Sequence, residues 1–318
     1  MTECWAITDS AAGNERQVLA LAGQLGLPAR HLVMRPRAPW SWLAPRMTVG
    51  GRLAVPVELR HAFAPPWPGF AIGCGRGAAL FTRLLRTLSD GRCRVVQILD
   101  PRIDPRHWDL VVAPRHDGLD GANVLTSLGA LNPVDDAWLA AGRDATPGLG
   151  ELPRPRVGVL LGGPRHGAAP DLDYARRLGD GLLARYRRES GSVLLLASRR
   201  TPAVVFALLR DMLRGIPGLA WGGSGDGPNP YPGVLGWADR LVATPDSVNM
   251  LSEACAVGCA VHTLADARLP AKLARFHAAL REHDLLHDLD ADAPLQQVPL
   301  RETAAIAAEV RRRLLLAP

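Results

Sequence analysis

Three short stretches in the second half of the chain carry residue types that hold anions. The first is Gly162-Gly163-Pro164-Arg165-His166-Gly167, where adjacent glycines let backbone amides approach a phosphate with no Cβ in the way. The second is Ser198-Arg199-Arg200-Thr201-Pro202. Here Thr201 is placed to cap a helix that starts at Pro202, so two guanidinium groups stand beside free amides and the positive end of a helix dipole, a setting that suits a diphosphate. The third runs from Thr244-Pro245-Asp246-Ser247 into a helical pattern. Asp246, Asn249, Met250 and Glu253 fall at i, i+3, i+4 and i+7, while Val248, Leu251 and Cys255 take another face. A carboxylate on the polar side could accept both hydroxyls of a ribose, and Ser247 with the first-turn amides could hold phosphate. A tight turn, a solvated arginine pair and an exposed helix face would each explain one stretch. Three at successive strand ends point to one ligand, a nucleoside diphosphate bound without a divalent metal.

Proton-transfer chemistry has two candidates in the first half of the chain. His116 is followed by Asp117, which could fix the tautomer of the ring, and an unperturbed imidazole titrates near neutral pH, where a general base is most useful. Asp9, at the end of the first apolar run, is the alternative base.

The elements that must position these groups are legible as apolar runs ending in Gly, Asp or Ser and passing into amphipathic segments, the βαβ pattern of parallel sheets. Strands are expected over 4–8, 70–73, 94–99, 108–113, 156–161, 192–197 and 240–243. Helices are expected over 14–26, 77–88, 172–188, 202–214 and 245–257. Residues 141–155, AGRDATPGLGELPRP, lack apolar periodicity and read as a linker. The expected organisation is an N-terminal Rossmann-like domain over 1–145, a C-terminal one over 156–300, and a helix over 301–318 packing back across the boundary. At 318 residues the chain exceeds the size at which one core keeps growing, which agrees with two domains.

Composition excludes several classes. Polar residues interrupt every apolar run near the N-terminus, so neither a signal peptide nor a membrane span is expected, and the protein is expected in the cytoplasm. The five cysteines are odd in number and show no Cys-x-x-Cys spacing, which argues against disulfides and zinc; Cys255 and Cys259 are read as small buried residues. The net charge of +6 comes from dispersed arginine, with Lys272 the single lysine, and no basic run or aromatic-interleaved stripe suggests nucleic acid. Gly73-Cys74-Gly75-Arg76-Gly77-Ala78 fits a relaxed dinucleotide fingerprint with Asp100 downstream, but a lone match is weak. Asp171-Leu-Asp173 and Asp288-Leu-Asp290 have the form of a metal-binding Asp-x-Asp, yet neither follows a strand directly, and the first reads as a helix start. Arg35-Pro36-Arg37-Ala38-Pro39-Trp40-Ser41-Trp42-Leu43 mixes basic and aromatic residues, a surface that could rest on anionic lipid at the inner face of a membrane, unless the tryptophans pack against their own domain.

The ordered words VQILDPR (96–102), DLVVAPRHD (109–117), NVLTSLGALN (123–132), LLGGP (160–164), SRRTP (198–202), NPYPGVLGWAD (229–239) and TPDSVNMLSEA (244–254) resemble the mitochondrial-fission Elongate Mitochondria family, which has bacterial members described as glycosyltransferases. The resemblance implies an α/β fold of GT-B type, two doubly wound Rossmann-type domains facing each other across a cleft. It also implies a metal-independent glycosyltransferase that needs no cofactor and moves a sugar from a nucleotide-sugar to a lipid-linked or cell-envelope acceptor. Asn229 and Tyr231 join the nucleotide-binding set through the same resemblance. The alternative it carries is a non-catalytic scaffold that recruits other proteins. Two departures fall in the acceptor half: Asn14 stands where the family has histidine in a Gly-His-x-x-Gln stretch, and Arg115 stands where an acidic residue commonly precedes the His-Asp pair.

Overall fold

The computed structural model describes residues 3–164, 170–265 and 269–315. The chain divides into two compact units, the first formed by Met1–Pro133 with Glu302–Pro318, the second by Val134–Arg301.

The first unit is built on β1 (Cys4–Thr8), α1 (Ala12–Gln24), β2 (Ala29–Val33), the single turn α2 (Trp40–Leu43), β3 (Phe70–Cys74), α3 (Arg76–Leu88), β4 (Arg94–Ile98), β5 (Leu110–Pro114) and β6 (Val124–Ser127). Its six strands are all parallel, in the order β2-β1-β3-β4-β5-β6. Strands buried on both faces need apolar residues at every position. In β1, Trp5 and Ile7 enter one core with Phe63, Phe81 and Trp108, while Cys4 and Ala6 enter the other with Val18, Leu21 and Ile72. The order reverses between β1 and β3, so the chain leaves these strands in opposite directions. The crevice at such a switch point is where open α/β sheets place ligands.

The second unit contains α4 (Asp136–Ala145), β7 (Arg156–Leu161), α5 (Leu172–Glu189), β8 (Ser192–Ala197), α6 (Ala203–Met212), β9 (Gly218–Trp221), α7 (Tyr231–Trp237), β10 (Arg240–Ala243), α8 (Val248–Cys255), β11 (Ala260–Thr263), α9 (Ala271–Glu282) and β12 (His287–Asp288). Its parallel sheet runs β12-β11-β10-β7-β8-β9. Renumbered from β7 this is 3-2-1-4-5-6 read from the other edge, the Rossmann order, with its switch point between β7 and β10. Asp171 caps α5 by accepting from the Tyr174 amide at 2.8 Å, so the first Asp-x-Asp string serves a helix start.

The chain passes between units at Pro133–Val134, earlier than the linker expected over 141–155. Helix α4 belongs to the second unit because it crosses α7 with backbones in close contact. A Cβ on Gly142 would collide with the Pro232 carbonyl, one on Gly233 with the Thr146 hydroxyl, and one on Gly236 with the Leu139 carbonyl. The Gly/Pro stretch after it folds as a short 3-10 turn, Pro147–Glu151.

Past residue 301 the chain returns to the first unit as α10 (Thr303–Val310), which runs on as a π-helical turn to Leu315. Ile306, Ala307 and Val310 complete the core on the α1 side. Glu302 fastens the return: its carboxylate accepts from the amides of Leu128 (2.8 and 2.9 Å) and Gly129 (2.9 Å). Thr303 adds a reciprocal pair with the Asn132 backbone. Hydrogen bonds to a charged group contribute about 1.5 to 3 kcal/mol, so Glu302→Ala should cost the first unit roughly that much. Urea unfolding that detects no change in midpoint would show that the apolar face of α10 suffices without the clasp.

Candidate functional site

At the C-terminal edge of the second sheet, three loops are joined side chain to backbone. The Gly162 amide donates to the Thr244 hydroxyl at 2.7 Å, and that hydroxyl donates to Asp246 Oδ1 at 2.6 Å. The other oxygen, Oδ2, accepts from the Gly163 amide at 3.0 Å, and Arg200 Nη2 lies 3.7 Å from it. From β8, the Thr201 hydroxyl reaches the carbonyls of Leu161 (2.8 Å) and Gly162 (2.7 Å) and accepts from the Ser198 amide at 2.8 Å. The loops after β7, β8 and β10 therefore form one braced surface at the switch point.

The glycines have a stricter cause than freedom of approach. A Cβ on Gly162 would occupy the position of the Asp246 carboxylate, and one on Gly163 would collide with the Arg200 carbonyl. The remainder of that loop, 165–167, lies outside the described residues.

Both threonine-proline signals resolve differently from the expected caps. Helix α6 starts at Ala203 with Pro202 at its N-cap, because the Thr201 hydroxyl is drawn to the end of β7. Helix α8 starts three residues later than expected, at Val248, and Ser247 caps it by accepting from the Met250 amide at 3.3 Å. Asp246, nearly fully buried with both oxygens accepting from protein groups, braces the loop. Glu253 is likewise buried and accepts from the Tyr231 hydroxyl, which ties α8 to the start of α7. Asn229 accepts from the Tyr231 amide at 3.0 Å and shapes that start. Asn249 sits half-buried on the first turn of α8, Arg199 is exposed, and the Arg200 side chain is 41% exposed.

A residue that sequence reading missed holds this surface from behind. His277, on α9 and almost wholly buried, makes a 2.9 Å hydrogen bond from Nε2 to the Pro245 carbonyl. A histidine inside an amphipathic helix carries no signal for such a distant partner.

In the first unit, Asp9 follows β1 directly and is half-buried. Among the described residues its hydrogen bonds fall on Oδ1, from the Ala11 amide (2.9 Å) and Asn14 Nδ2 (3.0 Å). Gly75, in the loop after β3, has a positive φ of 88°, and a Cβ there would press on Asn14. Asp9 and Asn14 thus lie at the β1–β3 switch point. His116 and Asp117 sit in the 3-10 turn after β5, 3.4 Å apart between Nε2 and Oδ1, with side chains only 3% and 1% exposed. The expected pairing is present, but the pair is enclosed.

The cysteines have no part in the site. Burial pushes Cys4, Cys93 and Cys259 up to about 12, and Cys74 and Cys255 well above the ordinary thiol range. Among the described residues no group of three or more His, Cys, Asp or Glu is placed to hold a metal ion, and no helix is long and apolar enough to cross a membrane.

A family model described as mitochondrial fission ELM1 matches residues 12–314. The mitochondrial fission protein ELM1 of Arabidopsis thaliana is 31% identical over 284 residues, 80% of this chain and 66% of the relative, so the match spans a little under two thirds of that protein. The UDP-GlcNAc 2-epimerase of Methanocaldococcus jannaschii, in complex with UDP-GlcNAc and UDP, superposes with a TM-score of 0.53 at 11% identity, over 97% of this chain and 92% of the other. MurG of Acinetobacter baumannii does so with 0.51 at 12% identity, over 99% and 92%. The shared fold is two Rossmann-like α/β units of GT-B type.

Burial lowers His277 to about 4, and burial together with neighbouring arginines lowers His262 to about 4. Between about pH 6.5 and pH 4 the unfolded chain binds these protons and the native chain does not. Stability therefore falls as pH falls through that window, by up to about 1.4 kcal/mol per pH unit for each histidine. Gln at 277 keeps a donor for Pro245 without titrating, so the melting temperature of His277→Gln should drop less than that of the parent between pH 7.5 and pH 5. Equal drops would remove the assignment.

Proposed function

The chain belongs to the mitochondrial fission ELM1 family, and on that footing we propose that its second unit binds a nucleoside diphosphate and that the protein transfers a sugar from a nucleotide-sugar donor. The observation that carries this reading is the braced edge at the Rossmann switch point. Two helix N-termini, those of α6 and α8, and two arginines, Arg199 and Arg200, meet there on loops held rigid by Asp246, Thr244 and Thr201. Helix N-termini and guanidinium forks favour phosphate, and preorganised loops spare the ordering cost of binding. The M. jannaschii neighbour, which shares the fold, holds UDP-GlcNAc and UDP.

In this proposal the two phosphates lie against Gly163, Arg199, Arg200 and the first turn of α8, where Ser247 and Asn249 sit. The Tyr231–Glu253 pair fixes the floor on which the nucleoside rests. Positive charge stabilises the departing diphosphate, and no divalent metal is required. On the acceptor side Asp9 is the general base in preference to His116, because Asp9 is half-exposed at its switch point and the His116–Asp117 pair is enclosed. Asp9 takes the proton of an acceptor hydroxyl as its oxygen attacks the anomeric carbon, and the nucleoside diphosphate leaves. The second reading, a non-catalytic scaffold, is favoured by the self-satisfaction of Asp246, since mutually bonded side chains need no ligand to be stable.

Thermal shift with UDP, GDP and ADP in the absence of metal separates the two readings. A glycosyltransferase should be stabilised by one of them, and Arg200→Ala should weaken that binding roughly 10- to 100-fold. No response to any nucleotide by the folded protein would favour the scaffold. With the matching nucleotide-sugar, Asp9→Asn should lower turnover by about 100-fold or more and leave donor binding intact. Near-normal turnover of Asp9→Asn, with loss in His116→Gln, would return the role to the buried pair.

A further inference from the structure

Between β2 and β3 the first unit inserts residues 34–69, whose inner and outer faces differ sharply. Inside, Ala44, Ala54, Val55 and Phe63 are buried in the core beneath β1 and α3. Outside, Trp42, Leu43, Val49, Leu53 and Val57 are exposed, Trp42 to 73% and Val49 to 83%. These are five of the eleven exposed large apolar side chains among the described residues, gathered within sixteen positions.

Their exposure is held in place. From the start of α3, Arg76 donates to the carbonyls of Ala44 (2.6 Å) and Trp42, and one turn pair further on Arg83 donates to those of Pro45 (2.8 Å) and Arg46 (3.0 Å). The Trp40 indole donates to the Val49 carbonyl at 2.9 Å, closing the 40–50 loop on itself. Four carbonyls and an indole thus fix the backbone on which Trp42 and Leu43 project. A tryptophan presented to solvent on a pinned single-turn helix forgoes the burial that would ordinarily stabilise it.

Charge decides what covers the patch. From Arg16 through Val57 the chain has no acidic residue, and Arg35, Arg37, Arg46 and Arg52, all exposed, flank the apolar side chains. A second copy of this chain would bring the same positive charge to the contact. Exposed indole and aliphatic groups interspersed in sequence with exposed arginines match the headgroup boundary of an anionic bilayer, which accepts apolar side chains and attracts cations together. We propose that residues 37–57 dock the protein peripherally on an anionic lipid surface, with Trp42, Leu43 and Val49 entering the headgroup boundary and Arg37 and Arg46 on lipid phosphates.

This can be tested by co-sedimentation of the full-length chain with phosphatidylglycerol-containing vesicles and with pure phosphatidylcholine vesicles. The protein should pellet with the former, and do so less as salt rises. Each juxtamembrane arginine adds about 1 kcal/mol, so Arg37→Glu with Arg46→Glu should weaken binding roughly tenfold or more. Trp42→Ser with Leu43→Ser should do the same, since burying either side chain is worth about 1.5 to 3 kcal/mol, or roughly tenfold and upward. All four side chains are exposed, so circular dichroism should report a folded protein in both variants. Failure to pellet with phosphatidylglycerol vesicles, or undiminished pelleting of both folded variants, would overturn the proposal. So would a solution dimer that Trp42→Ser dissociates, because a second copy would then own the patch.

Discussion

A buried carboxylate, that of Asp246, holds the C-terminal ends of three strands in one arrangement. Removing a charge from water is costly unless it is hydrogen-bonded and paired, and Asp246 meets that condition with the Gly163 amide, the Thr244 hydroxyl and the nearby Arg200. Because the partners come from the loops after β7, β8 and β10, satisfying the charge fixes all three loops together. Residues 162 and 163 must then be glycine, since the carboxylate and the Arg200 carbonyl take the space of their Cβ atoms. In such a network the loss of one member leaves the others unsatisfied in a low-dielectric setting, which makes the arrangement cooperative.

The first unit uses a related device with a different balance. There too an aspartate follows a strand at the switch point, Asp9 after β1, and a glycine of the neighbouring loop, Gly75, makes room beside it. Asp9, however, is half-buried and among the described residues takes its hydrogen bonds on one oxygen, where Asp246 is enclosed and uses two. Full satisfaction gives rigidity, and partial satisfaction leaves a carboxylate able to accept another proton donor. The two aspartates stand on opposite sides of their switch points, Asp9 after the first strand of its unit and Asp246 after the strand across from the first.

The alternation of apolar runs with amphipathic helices was readable because buried parallel strands such as 156–161 and 192–197 are continuous apolar text. Strands with polar positions, such as Ala29–Val33, and those of four residues or fewer outside the strongest runs, Val124–Ser127 and His287–Asp288 among them, left no comparable pattern. The candidate site's loops were legible in the sequence, and the bonds that brace them were not. Thr201 and Thr244 look like helix caps because each precedes proline, and local rules know nothing of the β7 backbone that competes for their hydroxyls. In the same way Gly142 reads as part of a linker, while its role, with Gly233 and Gly236, is to let α4 and α7 touch across some ninety positions of sequence. Each misreading concerns a partner distant in sequence.

The charges at this edge are unevenly disposed. Bracing accounts for one carboxylate and one guanidinium, Asp246 with Arg200. Arg199 remains exposed beside them with no ion pair among the described residues, and the N-termini of α6 and α8 add partial positive charge at the same edge. Arg199 and the N-termini of α6 and α8 are the positive charge that the proposed diphosphate would meet at the switch point.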